Sequence, residues 1–116
     1  MALLAVMLGA FGAHALKSSL DSYALSIFET AARYQMTHAI ALLIVGVTGM
    51  IGVLEQRWLN WAALAFLAGI IIFCGSLYLL AFSGVKWLGA ITPLGGLMLM
   101  AGWLLLSIAA FKKNRD

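Results

Sequence analysis

The chain is 116 residues long, with a mass of 12.4 kDa; 65% of its residues are hydrophobic and 9% are charged. Soluble domains carry about 25% charged residues, and seven basic with four acidic side chains cannot build the polar shell of a water-soluble fold. A soluble enzyme, a secreted disulfide scaffold and a disordered tail are excluded; the solvent of this chain is lipid.

Between charges the chain falls into four uncharged stretches, 1–16, 34–54, 58–85 and 87–111. A helix crossing the hydrocarbon core takes about 20 apolar residues at 1.5 Å rise. Runs such as Ala62-Ala63-Leu64-Ala65-Phe66-Leu67 and Ile70-Ile71-Ile72-Phe73 are apolar on every side. That suits lipid-exposed helices and not the alternating ten-residue segments of a β-barrel. The expectation is an all-α integral membrane protein, a single domain over 1–116 built as a four-transmembrane-helix bundle. Its helices are expected at about 2–16, 34–54, 58–82 and 87–111. The first is the shortest, about 24 Å long, and crosses only if Lys17 snorkels or the bilayer thins. Ala13-His14-Ala15 imitates a signal-cleavage site, but no Lys or Arg precedes the apolar run, as a signal peptide would require.

The connection after the first stretch is longer than a turn needs. Asp21 or Ser22 can cap a helix there, and Tyr23, Ile27 and Phe28 alternate with Ser26, Glu29 and Arg33. This pattern predicts an amphipathic interfacial helix over about 22–33, bending or running directly into the second span. Glu55-Gln56-Arg57 and Ser83-Gly84-Val85-Lys86 are tight turns, which set the last three helices antiparallel to their sequence neighbours. With four crossings both termini share one side, carrying Arg57, Lys112, Lys113 and Arg115 against Lys17, Arg33 and Lys86 on the other. The positive-inside rule then favours cytoplasmic termini. The net charge of +3 is this same pattern, and no nucleic-acid motif accompanies it.

Polar residues inside apolar runs are costly in a membrane and mark the places to search for function. His14 ends the first stretch, and Tyr34, Gln35, Thr37 and His38 begin the second. Cys74, Ser76 and Tyr78 fall late in the third, and Thr92 early in the fourth. All four ends lie on the Lys17/Lys86 side, so a polar cluster is expected in one leaflet. Its candidate residues are His14, Glu29, Arg33, Tyr34, Gln35, His38, Ser76, Tyr78 and Thr92. Glu29 and Arg33 have the i, i+4 spacing of a helix ion pair. A histidine titrating near neutrality suits a small-solute or proton site. The competing structural reading, and the favoured one, is hydrogen-bonding glue between helices.

A haem held by His14 and His38, or a copper site adding Cys74, would need those side chains to converge. No CxxCH, CxxC or HxxxH spacing supports either, so no cofactor or metal is expected. No Ser-His-Asp or paired-carboxylate arrangement is present, and no enzymatic activity is expected. Small residues are expected to let helices approach closely: Gly9, Gly12, Gly46, Gly49, Gly52, Ala65, Gly69 and Gly75. Pro93 with Gly95-Gly96 either kinks the fourth helix near its start or, more simply, Pro93 occupies the first turn without cost. Trp58, Trp61 and Trp87 lie at helix ends where indole anchors the interface, and Trp103 does not.

Three segments together resemble a known family: Gly9-Ala10-Phe11-Gly12-Ala13-His14; Thr30-Ala31-Ala32-Arg33-Tyr34-Gln35-Met36-Thr37-His38-Ala39; and Gly75-Ser76-Leu77-Tyr78 followed by Leu88-Gly89-Ala90-Ile91-Thr92-Pro93-Leu94-Gly95-Gly96 and Gly102-Trp103. This resembles the bacterial membrane family catalogued as domain of unknown function 423, which has eukaryotic transmembrane relatives. The resemblance implies a four-helix, multi-pass integral membrane protein of the bacterial cytoplasmic (inner) membrane and carries no activity with it. Cys74 stands where a serine is usual. The expected function is a non-enzymatic structural subunit, homo-oligomeric or accessory to a membrane-protein partner in the lipid bilayer. The alternative is a small-solute or proton conduit using the polar cluster.

Overall fold

The computed structural model describes residues 1–112; Lys113 and Arg115, counted in the charge bias above, lie outside them. These residues form four helical rods and no β-strand: α1 (Ala2–Leu16), α2 (Ser22–Ile51), α3 (Gln56–Ser83) and α4 (Leu88–Phe111). Three of them, α2, α3 and α4, are long and apolar enough to cross a membrane. The expected fourth span does not reach that length. With 15 residues, α1 extends about 22 Å at helical rise, short of the roughly 30 Å hydrocarbon core.

Of the two forms expected for the helix over 22–33, bending or running directly into the second span, the structure has the direct one. Asp21 caps α2, its carboxylate accepting from the Ala24 amide at 2.7 Å, and the helix then runs 30 residues without interruption. Arg33 bounds the uncharged stretch but not the helix, because its side chain faces outward from α2. A charge on an exposed face leaves the backbone ladder intact, so helix and uncharged stretch need not start together. At the other end of α2, Gly52 adopts a left-handed conformation (φ 73°), as does Gly84 (φ 68°) after α3. Both close their helices with a backbone amide reaching four residues back, to Thr48 and Leu80. A side chain at either position would be strained.

The rods are arranged as a flattened bundle, about 57 × 27 × 14 Å. α3 is central: it packs extensively on α4 and along α2, whereas α2 and α4 have little backbone contact with each other. α1 lies against the first half of α2 and runs antiparallel to it, with Gly12 beside Phe28 and the Met1 carbonyl beside Gln35. The main core joins Ala41, Val45, Leu59, Ala62, Phe66, Ile70, Cys74 and Leu99. A second cluster, Leu16, Phe28 and Ala81, ties α1 to α2 and α3.

Glycine makes the α3–α4 seam close. A Cβ on Gly69 would lie 2.9 Å from the Leu99 backbone nitrogen, and one on Gly102 would lie 2.6 Å from the Phe66 ring. At Gly95 the Phe73 backbone itself occupies the space. Gly12 is equally tight, facing Phe28 at 2.7 Å. Gly9, Gly46 and Gly75 have open space where a side chain would go, so close packing does not account for them. Gly49 sits against Gln56 and Gly96 makes only ordinary contact with Phe73.

Two wide π-turns interrupt the α-helical ladder, at Gly12–Leu16 in α1 and Ile70–Cys74 in α3. A π-turn inserts one residue, rotating the remainder of its helix by about 100°. Beyond the turn in α3, Ser76 faces α4 while Tyr78 faces α2. Pro93 is the sixth residue of α4, not part of its first turn, and the helix is continuous through it. Its missing N–H spares the Gly89 carbonyl an intrahelical partner without breaking the rod.

Candidate functional site

Three hydrogen-bonded groups occupy the places where polar side chains were expected, and each joins different helices. Between α3 and α4, the Ser76 and Thr92 hydroxyls lie 2.7 Å apart, both buried. Each also has a backbone acceptor on its own helix, the Phe73 carbonyl for Ser76 and the Leu88 carbonyl for Thr92. Between α2 and α3, the Tyr78 hydroxyl donates to Gln35 Oε1 at 2.9 Å. Gln35 Nε2 in turn donates to the Met1 carbonyl at 3.2 Å, so one amide joins α1, α2 and α3.

The third group centres on His38, which is 5% exposed. Its Nδ1 lies 2.7 Å from the Tyr34 carbonyl, and the Trp103 indole N–H donates to its Nε2 at 3.1 Å. A carbonyl only accepts and an indole N–H only donates. The two partners therefore assign the neutral imidazole with its proton on Nδ1 and its lone pair on Nε2. A second proton on Nε2 would face the Trp103 N–H with no acceptor. The ring also packs at 5.9 Å from both the Phe66 and Trp103 centroids, and Tyr34 stacks on it at 5.8 Å. Among the described residues, no buried side-chain nitrogen or oxygen lacks a partner.

Other candidates stand apart from these groups. His14 is exposed on α1, and Glu29 is exposed on α2. Glu29 and Arg33 form no ion pair despite their spacing; Arg33 has no side-chain partner among the described residues. No group of three or more His, Cys, Asp or Glu gathers among them. His14 is exposed on α1 while His38 is buried, and Cys74 is a free thiol buried in the α2–α3–α4 core.

Two participants do not stand out in the sequence. Trp103 supplies the donor for His38, and its signal is position: an indole N–H in mid-span has no water to bond and needs a protein acceptor. Phe73 is the other, packing on Tyr34 at 4.6 Å between ring centroids. Beside these residues a lateral groove of about 760 Å³ opens between α2 and α4, walled by Arg33, Tyr34, Thr37 and Trp103, with Phe73 and Leu99 at its base.

Fold and site together define a small multi-pass helical membrane protein whose buried polar groups bond across helices. The chain belongs to the family described as "Protein of unknown function (DUF423)", which it matches over residues 8–96. It is 47% identical over 111 residues to a "UPF0382 membrane protein" of Staphylococcus aureus (strain bovine RF122), covering 96% of this chain and 88% of the relative. Similar proteins of the same description occur in Staphylococcus haemolyticus (46% identical, 95% of this chain, 88% of the relative) and Staphylococcus saprophyticus (44%, 96% and 90%). No solved structure matches.

Proposed function

We propose that this protein is a non-enzymatic structural subunit of a membrane assembly, either self-associating or accessory to another membrane protein. The observation that carries the reading is the saturation of the polar interior. His38 uses both ring nitrogens, and Gln35, Tyr78, Ser76 and Thr92 are bonded to one another or to backbone. Polar side chains spent in this way hold helices together in lipid, where no hydrophobic force separates helix from tail. A proton or solute conduit would need groups that can exchange partners, and His38 would first have to give up its Trp103 bond.

The flattened shape supports association as well. A bundle 14 Å thick encloses little of its own, and α2 presents Ser26 and Glu29 on an exposed face. The membrane is the bacterial cytoplasmic membrane, with the C-terminus cytoplasmic on the strength of Arg57, Lys112, Lys113 and Arg115 against Lys17, Arg33 and Lys86. Crosslinking in native membranes, followed by extraction in mild detergent, tests the proposal. A discrete multimer or a fixed heteromeric complex is expected; a monomer in both bilayer and detergent contradicts it.

A further inference from the structure

We infer that the lateral groove between α2 and α4 is a binding site for an anionic phospholipid, one acyl chain lying in the groove and the phosphate meeting Arg33. The groove is apolar along most of its length. From Pro93 to Trp103 its α4 wall spans ten residues, about 15 Å at helical rise, or half the thickness of the hydrocarbon core. Leu97, Leu99, Met100 and the outer face of Trp103 line it. These are contacts for a hydrocarbon chain and offer nothing to a polar solute.

Its one charged residue is Arg33. Arg33 sits one residue before Tyr34, whose ring packs on Phe73 of α3, ten residues before the end of that helix at Ser83. This places the Arg33 backbone roughly 15 Å inside the end of α3. A long side chain at such a depth snorkels toward the headgroups, and a guanidinium there takes a counter-charge wherever one is available. Among the described residues none is: Glu29, one turn away, forms no ion pair with it. The guanidinium's fork of donors fits a phosphate, and the lipid that supplies both phosphate and chain is already the solvent. A zwitterionic headgroup brings its own cation and is the poorer match. This site does not depend on the subunit role proposed above.

The full-length protein carrying Trp58→Phe, Trp61→Phe and Trp87→Phe retains Trp103 as the single tryptophan. Reconstituted with phosphatidylglycerol or phosphatidylcholine brominated in the acyl chain, its emission reports groove occupancy. Quenching by the phosphatidylglycerol is expected to reach half-maximum at a several-fold lower mole fraction. Arg33→Gln should remove that preference, and Arg33→Lys should retain part of it, with helicity by circular dichroism checking that both fold. Equal quenching by the two lipids overturns the inference in favour of bulk solvation. No quenching by either overturns it in favour of a groove covered by protein, whether a second copy or a partner. Relief of quenching by soluble glycerol phosphate overturns the chain-in-groove geometry, since it would mean that the headgroup alone is held.

Discussion

His38 shows how a residue that looks reactive in a sequence becomes structural in a fold. Its imidazole carries one donor and one acceptor when neutral, and α2 and α4 supply the complement of each. Trp103→Phe leaves the Nε2 lone pair without its donor, and His38→Phe strands the indole N–H in the same way. A double-mutant cycle between the two should return a coupling of about 0.6 kcal/mol, the average for interhelical hydrogen bonds in membranes, and no more than about 1.7 kcal/mol. Reversible unfolding in mixed micelles would measure it, and additive effects would mean that the bond contributes nothing. Ser76 and Thr92 form the second such pair. Either alanine substitution alone is expected to cost about 1 kcal/mol, with the double variant costing less than the sum of the two, because removing both partners leaves neither unsatisfied. Such pairings could not be read from the sequence. Its polar positions were visible, but the partners of Ser76 and Tyr78 depend on the π-turn at Ile70–Cys74, for which no residue pattern gives notice. Trp103 was the partial exception, displaced from the helix ends where the other three tryptophans sit.

For the helices, the α3–α4 seam is set by glycine. Gly95→Ala would drive a methyl group into the Phe73 backbone, which cannot rotate away as a side chain could. Separation of the two helices there is expected to cost about 1–3 kcal/mol, as overpacking of well-filled cores does. Gly46→Ala is the control. Nothing lies within 4 Å of its new methyl, and alanine is the better helix former by up to about 1 kcal/mol. Comparative unfolding of the two variants checks this contrast; equal destabilisation would place the seam elsewhere. Glycine content was plain in the sequence, yet Gly9, Gly46 and Gly75 carry no close contact while Gly69 and Gly102 do. Composition indicates that backbones can approach, and only the relative rotation of the helices decides where. Charge spacing was more informative: the turns at Glu55-Gln56-Arg57 and Ser83-Gly84-Val85-Lys86 separate the three long helices as expected. At Arg33 a charge on an outward face marks the edge of an uncharged stretch but not the start of a helix, and the amphipathic pattern over 22–33 is what signalled the continuation.

For the whole molecule, eleven charges in 116 residues announced the membrane, and their positions announced most of the helical layout. The first helix departs from that layout, because an uncharged stretch guarantees apolarity but not length. The proposed role rests on the three interior polar groups taken together, which link all four helices by side-chain hydrogen bonds. A subunit of this kind should leave a proton gradient across proteoliposomes undisturbed, decaying at the rate of protein-free vesicles. Flux that disappears with His38→Ala would instead favour the conduit.

The most direct test of a fully bonded polar interior is the protonation state of His38, read by solid-state nitrogen NMR of the protein in lipid bilayers at neutral pH. The structure predicts a single neutral imidazole, protonated on Nδ1, with Nε2 accepting from the Trp103 indole. A proton on Nε2, or exchange between tautomers through water, would contradict it.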